Sequence, residues 1–142
     1  MQRDPSLRCL SSEHHSGLVV ARRARKVAGQ HAQAQATAWQ SIREIFQIEL
    51  EPHFQREERG LLPVLRVAGE VDLVKRTLQE HRSLRWLIIE NRPGNLSAFA
   101  ESLTTLIRFE EKELFETAKR VLGSKVLADL AEVLGDRRQA AE

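Results

Sequence analysis

The chain contains very little cysteine, proline, glycine or aromatic residue. Its 142 residues include one cysteine, Cys9, four prolines, seven glycines and no tyrosine. A single cysteine excludes an internal disulfide framework and makes the reducing cytoplasm the expected location. The scarcity of proline and glycine is typical of a helix-rich protein rather than of a sheet or a disordered chain.

Long apolar runs and an excess of one charge are also missing. No run approaches the roughly 20 residues that span a bilayer, and the first residues, MQRDPSLRCLSSEHH, lack the apolar core of a signal peptide. We therefore expect no membrane segment. The 22 basic residues nearly balance the 20 acidic ones, which disfavours nucleic acid as the main partner. The only basic cluster has no interleaved aromatic residues and is interpreted as a solvated helix face; it comprises Arg22, Arg23, Arg25 and Lys26.

Apolar residues recur at helical spacing along the chain, and neither a strand period of two nor a repeat of fixed length is present. The pattern predicts an all-α protein, an antiparallel up-down four-helix bundle with a short extra C-terminal helix. We expect one domain over residues 1–142, with its core at about 10–122. The expected helices run from Ser11 or Ser12 to about Gly29, from about Ala36 to Val67, from Val71 to Asn91, from Leu96 to Leu122 and from Lys125 to Leu134.

Two features of the expected second helix matter for the site. The link before it, GQHAQAQAT, contains His31, to which we assign no role. Pro52 interrupts the helix directly before His53, and an interior proline removes one backbone hydrogen bond, so a bend is expected there.

Each of the four main helices carries a polar residue on its apolar stripe. His53 and Glu57 are four residues apart, so their side chains leave the same face of the second helix. His81 and Glu110 share the stripes of the third and fourth helices. On the first helix His14 and His15 are both at helical spacing from Leu18, so either could face inward. The alternative is that one or both are exposed near the helix start.

In a bundle these inward residues converge. Buried imidazoles and carboxylates are costly unless each has a partner. A cation of the iron, manganese or zinc type would satisfy all of them together, because it takes imidazole nitrogen and carboxylate oxygen. A purely hydrogen-bonded polar core is the alternative. Glu111 and Glu113 are expected to point outward into solvent.

Four segments of the chain resemble a known family: LSSEHHSGLVVARRAR, ELEPHFQREERGLLPVL, LQEHRSLRWLI and LIRFEEKELFE. They are similar to the four helices of a hemerythrin-like, HHE cation-binding domain, over about Leu10 to Val121. The resemblance implies a four-helix bundle with a non-haem di-iron centre. It places the ligands at His14 or His15, His53, Glu57, His81 and Glu110.

The chain departs from the family pattern at two positions. The family usually has a histidine four residues before the last carboxylate, where this chain has Leu106, and many members have a second histidine where this chain has Arg85. In the family both imidazoles serve the iron that His81 would bind. The resemblance thus implies that one half of the centre is intact and that the second ion is weak, exchangeable or absent.

Two functions follow as expectations. The first is a cytoplasmic module that binds or senses oxygen, nitric oxide or peroxide at an incomplete di-iron, or mononuclear, centre. The second is a metal-free, degenerate bundle that acts as an interaction or regulatory domain. No residue beyond the metal ligands argues for turnover, so an enzyme is less favoured. The oligomeric state and any protein partner stay open.

Overall fold

The computed structural model describes residues 4–135, and within that range all regular structure is helical. Four long helices pack into a bundle. Helix α1 is Arg8–Val27, α2 covers residues 32–67, α3 is Val71–Glu90 and α4 covers residues 96–122. Gly123 has a non-helical backbone with φ 75° and ψ 165°, and residues 124–135 follow it as the C-terminal segment. Single 3₁₀ turns precede α1 at Pro5–Leu7 and α4 at Pro93–Asn95.

The first two helices begin earlier than their sequence predicts. Helix α1 starts at Arg8 after a 3₁₀ turn that Asp4 caps by accepting a 2.8 Å hydrogen bond from the Ser6 N–H. The expected cap at Ser11 or Ser12 is therefore wrong. Helix α2 starts at Ala32 because the ring of His31, to which no role was assigned, accepts a 3.3 Å hydrogen bond from the Ala34 N–H.

The third and fourth helices start where the sequence predicts. Helix α3 begins at Val71 and ends one residue before the predicted Asn91, which adopts the left-handed conformation with φ 56° and closes the helix. Helix α4 begins at Leu96. The two turn regions 68–70 and 91–95 are therefore predicted well, since Gly69 marks the first, and glycine, proline and asparagine mark the second.

Three π turns of five residues each widen the long helices. Helix α2 contains Phe46–Leu50 and Glu57–Leu61, and α4 contains Glu110–Leu114. The two turns in α2 directly precede α-helical stretches that carry Pro52 and Pro63 at their second residue. A π turn carries one extra residue, and it provides room for the proline ring. Helix α2 therefore continues through both prolines.

The core consists of two apolar clusters with a polar layer between them. On α1 the buried His14 lies between Leu10 of one cluster and Val20 of the other. The same order of apolar, polar and apolar residues recurs on the other three helices, at His53 and Glu57, at His81 and at Glu110. The bundle thus brings its buried polar residues to a common level. Among the described residues, no helix combines the length and the apolar composition that crossing a membrane requires.

Candidate metal centre

Five of the six residues that the sequence singles out lie together in the polar layer. Four are at most 3 % exposed, namely His53, Glu57, His81 and Glu110, and His14 is 5 % exposed. The sixth, His15, is exposed, so the first helix contributes His14 and the choice between the two histidines is resolved. Every one of the four helices supplies at least one of these side chains.

The two carboxylates stand between the histidines and use different oxygens for the two sides. Glu110 Oε1 is 2.7 Å from His14 Nε2 and 3.8 Å from His53 Nε2, whereas Glu110 Oε2 is 3.2 Å from His81 Nε2. Glu57 repeats the pattern, with Oε2 3.2 Å from His53 Nε2 and Oε1 3.1 Å from His81 Nε2. His53 and His81 thus direct Nε2 at both carboxylates, and His14 directs Nε2 at Glu110.

The other nitrogen of each imidazole donates to a further carboxylate. His14 Nδ1 is 2.7 Å from Glu111, His53 Nδ1 is 2.8 Å from Glu13, and His81 Nδ1 is 2.7 Å from Glu58. A carboxylate on Nδ1 holds the proton there and leaves the Nε2 lone pair for a metal ion. This is the arrangement that metal-ligating histidines generally have.

Aromatic rings hold two of the imidazoles in place. Phe115 stacks on His14 with the ring centroids 5.2 Å apart, and Phe54 stacks on His81 at 4.0 Å. Both phenylalanines are buried. Stacking restricts rotation of the rings, so the Nε2 atoms are positioned by packing as well as by hydrogen bonds.

Without an ion, the polar layer favours protonated histidines and an ionised Glu110. Burial lowers the pKa of His14, His53 and His81, but the adjacent carboxylates outweigh it and raise all three pKa values above the ordinary 6.5. Burial likewise raises the pKa of Glu110, and its three histidine neighbours bring it well below 4.5. Protons and a cation therefore compete for the same Nε2 atoms.

The donor set fits a metal ion. Although the distances around them are short, His53 Nε2 and both oxygens of Glu57 make no hydrogen bond within the described part of the chain. Buried polar atoms without such a partner are rare and call for an explanation. A cation bound by imidazole nitrogen and carboxylate oxygen supplies it, and no thiolate belongs to the set.

The two sides of the carboxylate pair differ in what they offer an ion. One ligand atom each from His14, His53, Glu57 and Glu110 lies within 4.8 Å of every other. On the opposite side His81 meets only one oxygen from each carboxylate. A cavity of about 40 Å³ adjoins the four-residue side, and His14, His53 and Glu110 line it together with apolar residues that include Gly17, Leu50 and Leu106.

The two departures from the family pattern have clear structural roles. Leu106 is 1 % exposed and lines the cavity beside His14 and His53, whereas the resemblance grouped the histidine missing there with His81, which does not line the cavity. Arg85 donates to Glu51 at 2.8 Å and to Glu58 at 2.8 Å, and the same Glu58 oxygen accepts from His81. A guanidinium has no lone pair to give, so Arg85 supports the histidine through Glu58 and adds no ligand.

Sequence reasoning missed the carboxylates on Nδ1 and the buried Arg56. Glu111 was expected to point into solvent, which is wrong, because the π turn Glu110–Leu114 brings two consecutive acids to His14. Glu113 is 53 % exposed in its side chain and pairs with Arg76 at 3.3 Å. Glu13, Glu58 and Glu111 each directly neighbour a residue of the polar layer in the sequence, so the helical period places them on another face and offered no signal for them.

The fold and the site together define a helical-bundle protein with a buried histidine and glutamate cluster able to hold a metal ion. Comparison with family models makes the class specific. Residues 7–118 match the model described as the hemerythrin HHE cation binding domain, and the chain belongs to this family. The resemblance noted in the sequence is thereby confirmed. No curated protein and no solved structure matched the chain.

Proposed function

We propose that this chain is a hemerythrin-like iron-binding module whose ion binds a small ligand such as oxygen, nitric oxide or peroxide. The proposal rests on one observation: Glu57 and Glu110 lie between three imidazoles. The Nδ1 atom of each imidazole contacts a further carboxylate. On one side an ion would be held by His14, His53, Glu57 and Glu110. On the other side a second ion would have only His81 and the shared carboxylates, so the di-iron centre is incomplete. With a single ion the centre is mononuclear.

The cavity beside the four-residue side supports the binding of a small ligand. Its volume of about 40 Å³ exceeds the roughly 10–15 Å³ that a single water needs. Its walls are mostly apolar, which suits an uncharged diatomic molecule or a peroxide better than a larger polar substrate. An iron ion held by His14, His53, Glu57 and Glu110 would supply the redox chemistry and would have room to bind such a ligand. The residues of the chain position the ion, exclude bulk water and hold protons at Nδ1.

Metal analysis of purified protein after iron-replete expression tests the proposal, together with an absorption spectrum in air. We expect between one and two irons per chain. Protein that retains no iron, and takes up none from Fe(II) added without oxygen, contradicts the proposal. If the purified protein contains zinc or manganese instead of iron, the metal site is supported but the proposal that its metal is iron is wrong.

A substitution at Gly17 tests the cavity separately from the ion. Gly17 and Ile107 both line the cavity, and a Cβ atom at Gly17 would lie 2.8 Å from Ile107 Cδ1, so Gly17→Ala crowds the cavity wall. We expect the iron content to stay unchanged and nitric oxide to bind at least several-fold more weakly. Gly94→Ala is the matched control, because a Cβ at Gly94 meets nothing within 4 Å. Equal nitric oxide affinity in both variants would exclude this cavity as the ligand site.

The second candidate is a metal-free bundle that acts as an interaction or regulatory domain. Leu106 and Arg85, in place of the usual histidines, favour it, and so do the short contacts that pair His14 and His81 with carboxylates. Failure to bind iron in a folded protein would select this candidate.

The proposal extends to the setting of the module. We place it in the cytoplasm, which the single cysteine favours, with neither nucleic acid nor membrane as a partner. We also infer an antiparallel up-down order with a short C-terminal helix after Gly123. The supporting observation is that residues of the two apolar clusters follow one another in opposite order along successive helices.

A further inference from the structure

A buried arginine connects the candidate metal centre with the C-terminal segment. Arg56 is 2 % exposed and lies in α2, one residue before Glu57. A guanidinium keeps its charge at all physiological pH values, so burying it is costly unless acceptors surround it. The structure provides acceptors on two sides of the side chain, and each belongs to a different part of the molecule.

On one side Arg56 contacts the support of a proposed ligand. Its Nη2 donates to Glu13 Oε1 at 2.5 Å, and the same oxygen accepts from His53 Nδ1 at 2.8 Å. Burial raises the pKa of Glu13, but His53 and Arg56 outweigh it and lower that pKa to about 2. One carboxylate oxygen is thus shared by the arginine and the imidazole, and a shift of Arg56 would move the support of His53.

On the other side Arg56 contacts the C-terminal segment. Its Nη1 donates to the backbone carbonyl of Leu134 at 2.6 Å, which is a short, charge-assisted hydrogen bond. Leu134 and Leu127 are fully buried in the second apolar cluster, so the segment packs on the bundle along its own apolar face. The chain reaches this position through Gly123, whose positive φ favours glycine.

The same segment also packs against the π turn that begins with Glu57. A Cβ atom at Gly60 would lie 3.2 Å from both Leu134 Cδ2 and Val133 Cγ1. Glycine at this position therefore permits the close approach of the segment to the turn Glu57–Leu61. Two independent contacts, one polar and one steric, place the C-terminal segment beside the residues that would hold the ion.

We infer that docking of the C-terminal segment and binding of the metal ion are coupled through Arg56, which positions His53 by way of Glu13. This inference rests on the proposed function and adds a regulatory property to it. Coupling between two sites is reciprocal: if the docked segment strengthens metal binding, the bound metal strengthens docking. Anything that displaces residues 124–135 therefore weakens the hold on the ion.

Two full-length variants test the coupling from its two contacts. Gly60→Val pushes the segment away and leaves Arg56 intact, whereas Arg56→Gln removes the charge that joins Leu134 to Glu13. We expect each to weaken Fe(II) binding by about tenfold, the lower end of the range for disturbing a group that supports a metal ligand, which here is Glu13. Gly29→Val is the matched control, since a Cβ atom there meets nothing within 4 Å. Fe(II) affinity is measured without oxygen by competition with a chelator, and circular dichroism verifies the fold.

Limited trypsin digestion measures the reverse direction. Lys125 is exposed at the start of the segment, and Arg66 is exposed near the end of α2. In the wild type we expect Fe(II) to slow cleavage after Lys125 more than cleavage after Arg66. In Arg56→Gln this difference disappears, although Fe(II) at higher concentration still binds. A purely structural arginine would leave the ratio of the two cleavage rates unchanged.

The possible failures are distinct. A folded wild type that binds no Fe(II) overturns the proposed function, and the coupling with it. A wild type that binds Fe(II), with both variants within twofold of its affinity, leaves the proposed function standing and overturns the coupling. Faster cleavage after Lys125 in Gly60→Val with unchanged Fe(II) affinity would do the same, since the segment would then be released without effect on the ion.

Discussion

The two sides of the carboxylate pair are built from unequal parts. On one side two imidazoles face Glu57 and Glu110, and a small apolar cavity adjoins them. On the other side His81 stands alone, and the groups behind it pair with one another, since Glu58 accepts from both His81 and Arg85. The difference teaches that a bundle can set two carboxylates among three imidazoles while giving only one side a four-residue cluster able to hold an ion and an adjoining cavity.

The largest expected effect comes from a residue that serves both sides. Glu57→Gln keeps the shape of the side chain and removes its charge, so neither side retains its pair of carboxylates. We expect iron affinity to fall by more than about a hundredfold, beyond the range typical of an outer supporting group. Iron content after dialysis measures the loss. Glu44→Gln, an exposed glutamate of the same helix, serves as the control and should retain iron.

A histidine substitution separates the two sides. His53→Ala removes an imidazole from the four-residue side, and we expect roughly a hundredfold loss of iron affinity, because a primary ligand disappears. His15→Ala is the matched control, since His15 is exposed on the same helix as His14. Equal iron content in the His53 variant and the wild type would show that the ligand assignment is wrong.

The pH dependence of the metal-free protein sharpens the comparison without any substitution. Three imidazoles have pKa values raised above 6.5, so their contribution to stability is full below pH 6.5 and is lost as the pH rises through the folded-state values. Glu13 has its pKa lowered from 4.5 to about 2, and its contribution is lost as the pH falls through that range. The metal-free protein should be most stable between about pH 4.5 and 6.5.

Urea unfolding over a series of pH values measures this window. Each imidazole contributes a slope of at most about 1.4 kcal/mol per pH unit. Iron affinity should show the opposite trend and increase with pH, because the ion displaces protons from Nε2. A metal-free protein that becomes steadily more stable above pH 6.5 would contradict the charged pairs described for His14, His53 and His81.

A further ligand can be added beside the cavity. Leu106 lies one turn before Glu110 and lines the space next to His14 and His53. We expect Leu106→His to raise iron affinity by about tenfold, equivalent to about 1.4 kcal/mol, and to reduce nitric oxide binding by filling the cavity. Leu103→Met, a change at another apolar residue of the cavity wall, controls for altered packing. Unchanged iron affinity would show that position 106 does not reach the ion.

The smallest effect is expected on the side with the single imidazole. His81→Ala removes a group that touches Glu57 and Glu110 but lies outside the four-residue set. Iron affinity should fall by only about two- to fivefold, less than the range for groups that orient a ligand directly. Iron content and chelator competition measure it beside His53→Ala. A loss of iron affinity as large as that of His53→Ala would show that the two sides bind iron with equal affinity.

Much of the fold and the centre of the site could be predicted, because both follow from helical spacing. His53 and Glu57 are one turn apart, and His81 and Glu110 interrupt otherwise apolar stripes, so burial identifies them. The choice between His14 and His15 could not be made, because the reference residue Leu18 is only partly buried. The actual stripe of α1 includes Gly17, which a hydrophobic pattern does not count.

The carboxylates that contact the Nδ1 atoms, and Arg56, were less predictable because they do not lie on the apolar stripes. Glu13 and Glu58 directly neighbour His14 and Glu57 in the sequence, and at 100° per residue they should leave the helix on another face. Their contacts come from a neighbouring helix, so only the packed structure reveals them. Arg56 resembles any surface arginine until its partners Glu13 and Leu134 are known.

The π turn at Glu110–Leu114 makes the length of the chain as important there as its composition. Removing a single residue from this turn would restore regular α geometry and rotate everything that follows by about 100°. Leu114, Phe115 and Ala118, all now fully buried, would then leave the interior together. Related chains should therefore tolerate exchanges of side chain in this stretch far more readily than a gap of one position.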